Sequence, residues 1–144
     1  MHRLAAAVLA LAALVALPAC DSGSDAVGLT GTWEGVVYDA TAADATRYPI
    51  VFQLQDSGLR ITGSGYVDEL PEGRLDLAIT NGQFLEDLSV QLEFLLSIGG
   101  QQVPPFSGSL SGRLTNRDPG RIEGTFSGRG AVGNSLVRIE ITSR

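Results

Sequence analysis

Lysine is absent from the 144 residues, and Cys, His and Trp each occur once. A single Cys cannot close an internal disulfide. The one His, His2, stands at the start of the chain, so the rest of the sequence has no Ser-His or Cys-His pair for nucleophilic catalysis. Zinc has no His or spare thiol to bind it. With no Lys, all basic residues are Arg: from Cys20 onward nine face 16 acidic side chains, a formal charge of about −7. That balance repels phosphate backbones and anionic headgroups, which excludes nucleic-acid binding and attachment through a polybasic patch. Aromatic residues make up only 6% of the chain while glycine occurs 18 times, a composition that favours turn-rich β structure over a helical bundle.

What is present begins with a hydrophobic run. After Met1, His2 and Arg3, the residues from Leu4 to Leu17 are all Ala, Val or Leu. As a helix this stretch would measure about 21 Å, short of the roughly 30 Å hydrocarbon core, so it reads as an export signal covering residues 1–19. Leu17-Pro18-Ala19-Cys20 follows, and it resembles the lipobox of bacterial lipoprotein precursors, with Pro at minus two as a departure. The resemblance implies that Cys20 receives a diacylglyceryl group, becomes the mature N-terminus and anchors the protein permanently, since each buried methylene contributes ~0.8 kcal/mol and two or three chains make release slow. Residues 20–30, the Cys followed by DSGSDAVGLT, are polar and glycine-containing and read as a tether. Asp21 resembles the signal that retains some lipoproteins in the inner membrane. The expected location is the cell envelope, with the domain outside the cytoplasm.

Residues 31–144 alternate apolar and polar side chains at period two, the pattern of strands with one buried face. The expected inward sets are Trp33, Gly35 and Val37; Ile50, Phe52 and Leu54; Leu59, Ile61 and Val67; Leu75, Leu77 and Ile79. Asn81-Gly82 predicts a two-residue type I′ hairpin pairing Ile79 with Phe84. Leu88, Val90, Leu92, Phe94 and Leu96 follow in that register. After a loop from Gly99 to Pro105 come Phe106, Leu110 and Leu114, then a turn at Asp118-Pro119-Gly120, then Ile122 and Phe126, and finally Val137, Ile139 and Ile141. About eight strands joined by short connections imply an all-β domain, a single antiparallel up-and-down barrel that hides its apolar face by closing on itself. A β-sandwich gives the same pattern and is the alternative. A transmembrane barrel does not fit, because the opposite face carries Arg, Glu, Gln and Ser. Glycines on the inward parity, among them Gly63, Gly65, Gly112 and Gly124, predict sharp bending or close approach of strands.

Gly31-Thr32-Trp33 opens the first strand and resembles the Gly-x-Trp motif of the lipocalin and avidin-like barrels. The resemblance implies a lipocalin-like barrel in which Trp33 plugs one end, with Arg138 or Arg144 as the counterpart of the Arg that packs on that Trp. The several Trp residues of avidin-type biotin sites are missing. No catalytic residue, cofactor or metal site is expected: Asp68, Glu69 and Glu72 around Pro71, and Glu86 with Asp87, read as solvated loop charges without calcium-loop spacing. A small apolar ligand suits an interior lined by Trp33, Phe52, Phe94, Phe106 and Phe126. Glu86, the only charge on the apolar parity between Phe84 and Leu96, is the candidate contact for its polar head. The rival expectation is a structural or protein-interaction domain with a filled core and an unspecified protein partner.

Overall fold

The computed structural model describes residues 28–127 and 137–144. The expected signal, Cys20 and most of the expected tether lie outside the described residues. Eight strands follow one another: β1 (Gly31–Asp39), β2 (Tyr48–Asp56), β3 (Ile61–Val67), β4 (Leu75–Phe84), β5 (Ser89–Ile98), β6 (Gln101–Arg117), β7 (Gly120–Ser127) and β8 (Val137–Ser143). Each pairs antiparallel with the next, and β8 returns to β1 with Ile141 opposite Gly35, closing a lipocalin-like up-and-down barrel. Closure leaves no open edge. The barrel, and not the sandwich, is the fold.

The period-two pattern dictates this arrangement directly. Trp33, Val37, Ile50, Phe52, Leu54, Ile61 and Val67 are buried, as are Leu75, Leu77, Val90, Leu92, Phe94, Leu96, Leu110, Leu114, Ile122, Phe126, Ile139 and Ile141. They form one cluster, and none of the buried described side chains is polar or charged. Removing each from water contributes about 1.5–3 kcal/mol, which the sheet collects by curling its apolar face inward.

Four expectations change. Asn81-Gly82 makes no turn: β4 runs through it to Phe84, and the chain reverses at residues 85–88, where the Leu85 amide donates to the Ser89 carbonyl at 2.9 Å. Between Ile79, which faces Phe94, and Asn81, which faces Glu93, Thr80 is the extra residue of a β-bulge. The bulge, not a hairpin, accounts for the apolar parity shifting from odd (Leu75, Leu77, Ile79) to even (Gly82, Phe84). A two-residue turn does exist, at Gly99-Gly100, where φ of +59° and +82° suits type I′ geometry and Ile98 faces Gln101. Hence β6 begins at Gln101, and the loop expected from 99 to 105 is mostly strand.

Phe106 is 52% exposed and has φ of +67°; the irregularity between Leu95 and Ser97 in the β5–β6 register turns it outward, away from the interior assigned to it. Leu59 lies at a turn tip outside β3, 92% exposed, where an inward position was expected.

Candidate functional site

Trp33 is 2% exposed at the barrel end where β1 begins and β8 finishes. Its indole Nε1 donates to the Leu29 carbonyl at 2.9 Å, and a Cβ added at Gly120 would stand 2.7 Å from its ring. The ring thus lies against both the incoming chain and the β6–β7 turn. Leu29, placed on the tether by its sequence context, is itself fully buried, and its amide donates to Asp56 Oδ2 at 3.1 Å. Neither candidate Arg fills the lipocalin role. Arg144 pairs with Glu34 at 2.8 Å, and Arg138 lies near the opposite end, beside Tyr38 in register. At that opposite end Leu70, from the β3–β4 loop, joins the core.

Inside, Phe94 lies between two other rings, 6.4 Å from Phe52 and stacked 5.3 Å from Phe126. These side chains come from β2, β5 and β7, so the three rings bridge the interior between well-separated parts of the wall. Glu86 does not reach that interior. It is exposed in the β4–β5 turn, at the same barrel end as Trp33.

Clefts lie on the outer wall. One, of about 300 Å³, is bordered by Tyr66, Arg74 and Asp76: the Arg74 guanidinium stands 3.6 Å over the Tyr66 ring and pairs with Asp76 at 3.0 Å. A second, of about 290 Å³, sits under the alanine-rich β1–β2 loop, bordered by Tyr38, Arg47, Arg138 and Glu140. Here Arg47 stacks over Tyr38 at 4.2 Å while the Tyr38 hydroxyl donates to Glu140 Oε1 at 2.5 Å. That hydrogen bond to a carboxylate, with partial desolvation, raises the Tyr38 phenol above its ordinary value of 10.0. Both clefts lie toward the end opposite Trp33, because Tyr38 and Tyr66 are the penultimate residues of β1 and β3. A third hollow, of about 400 Å³, is edged by Thr80, Glu93, Ser107 and Ser109.

The loop carboxylates stay apart in role. Asp68, Glu69 and Glu72 are exposed, and among the described residues no three His, Cys, Asp or Glu side chains are placed to hold a metal. Asp87 is held below the ordinary carboxylate value by the Ser89 hydroxyl and amide, both of which donate to it, so it fastens the turn. Among the described residues no helix is long and apolar enough to cross a membrane. Sequence reasoning missed the Arg-Tyr clefts; their partners are distant or on outward parity, and only the spacing of Tyr38, Arg47, Tyr66 and Arg74 near strand ends hinted at them. Neither a family model, nor a curated protein, nor a solved structure matches this chain.

Proposed function

We propose that this protein is an envelope lipoprotein, tethered through lipidated Cys20, whose barrel is a filled scaffold that meets a protein partner on its outer wall. One observation supports the reading: Phe94 packs between Phe52 and Phe126 in the interior, and the described core holds no charged side chain, the Trp33 indole N–H being taken by the Leu29 carbonyl. Recognition then falls to the wall, where Tyr38 with Arg47 and Tyr66 with Arg74 supply the aromatic and guanidinium groups that dominate protein interfaces. The tether supports the same reading, since a surface-acting domain gains from being held beside its partner.

Replacing Tyr66 by a photo-crosslinking phenylalanine analogue in the native host tests it. Discrete adducts at Tyr66, absent when the analogue sits at Thr115 on the far wall, are expected; uncrosslinked protein at both positions counts against a wall partner. Separately, Cys20→Ser is expected to move the protein from the membrane to the soluble fraction, and retention in the membrane contradicts the anchor.

A further inference from the structure

We infer that the Trp33 end of the barrel lies against the bilayer, with Leu59 and Leu85 entering the boundary between headgroups and acyl chains. The inference rests on the lipid anchor at Cys20. Two independent features converge on this end. The first is where the chain arrives: Leu29 is pinned by Asp56 and by Trp33, so the segment leading back to Cys20 departs from here. Only seven residues lie between Cys20 and Gly28, a reach of at most about 28 Å when fully extended, so this end stays close to the surface that holds the acyl chains.

The second feature is what the end displays. Ser57 to Arg60 form a tight turn in which the Ser57 amide donates to the Arg60 carbonyl at 3.1 Å and the Gly58 amide to Asp56 Oδ1 at 2.8 Å. Gly58, with φ of +81°, meets the only unusual backbone demand of this turn; nothing in the turn requires an apolar residue at 59. Leu59 is nevertheless 92% exposed, and Leu85 in the adjoining β4–β5 turn is 40% exposed. The two turns neighbour each other because β3 and β4 are paired, and Ile61 lies against Gly82. Charges of both signs surround them, Arg60, Arg117 and Arg144 with Glu86, Asp87 and Asp118, so the rim presents no one-sided field against headgroups. The other two exposed large apolar side chains among the described residues, Leu95 and Phe106, lie on β5 and β6, not on turns of the opposite end. A leucine held out on a short rigid turn beside a lipid anchor matches interfacial insertion, in which apolar side chains dip below the headgroups while the body stays in water. The Arg-Tyr clefts then face away from the membrane.

The test uses full-length lipidated protein carrying Leu59→Cys or, as the far-end control, Gln102→Cys, labelled with an environment-sensitive fluorophore. With Cys20 in thioether linkage, the introduced thiol is the only free one. The protein is reconstituted in vesicles of phosphatidylethanolamine and phosphatidylglycerol and floated. Spin-labelled lipids are expected to quench the label at residue 59 at least about twofold more than the label at 102, and Leu85→Asp is expected to reduce that difference. A floating protein with equal, water-exposed labels overturns the orientation while leaving the anchor standing. Shielding of residue 59 from aqueous iodide without lipid quenching means a protein or a second copy covers the end, and also overturns it. Failure to float removes the anchor and the inference with it.

Discussion

Phe94 carries more of the interior than its size alone suggests, because it touches a ring on either side and is fully buried. Truncating it would remove contacts with both neighbours and open a space that a closed sheet cannot collapse to fill. Phe94→Ala is therefore expected to lower unfolding free energy by about 3–5 kcal/mol in a urea titration. A loss below about 1 kcal/mol would mean that the interior was already open. On the outer wall, Tyr38 offers a pH-dependent test. Its phenol ionises above 10.0 in the folded protein because Glu140 accepts its proton in a hydrogen bond. A group whose folded value is raised contributes stability that is complete below the unfolded value and lost as pH climbs through the folded one, so the effect belongs to the alkaline side. The difference in ultraviolet titration between the wild type and Tyr38→Phe is expected to have its midpoint above 10.0, and Glu140→Gln is expected to bring it down. An unchanged midpoint in Glu140→Gln would break the assignment.

Strand pairing depends on places where side chains are missing. Gly112 and Gly124 face each other across β6 and β7, and a Cβ at Gly124 would lie 2.3 Å from the Ser111 carbonyl oxygen and 2.4 Å from the Gly112 Cα. Backbone surrounds the space, so nothing can swing aside. Gly124→Ala is expected to cost about 1–3 kcal/mol, read as a lower thermal midpoint; an unaltered midpoint would show that the strands can separate there. Strands and their buried faces were legible in the sequence because alternation reports burial directly, residue by residue. Turns were less so. Asn81-Gly82 has the local chemistry of a hairpin, yet Gly82 is buried where a Cβ would meet the Ile61 carbonyl at 2.6 Å, so tertiary packing uses that glycine for close approach. The parity change between Ile79 and Gly82 comes from one bulged residue, which no local preference announces. Phe106 was misplaced for the same reason: a register irregularity in β5–β6 flips its side, and alternation counted from Leu110 cannot see it.

Closure of eight strands leaves the molecule with an inside, two ends and a wall, and the proposed reading assigns recognition to the wall. Trp33, buried near the start of β1, was legible as an inward residue from Gly31-Thr32-Trp33 and the alternation that follows. The wall sites were not, because Arg74 on Tyr66 and Arg47 on Tyr38 are contacts between positions that alternation treats merely as outward. Glu86 illustrates the converse: extending the β5 parity back through a turn suggested an inward charge, whereas the chain leaves the barrel wall at Leu85. A barrel that acts through its wall requires an interior occupied by the protein's own side chains. Native mass spectrometry of the full-length protein, extracted in detergent from its own host, tests this most directly. The expected mass is that of the chain with its covalent acyl groups and no further molecule; one non-covalent apolar molecule per chain, displaced when Phe94→Trp fills the interior, would contradict it.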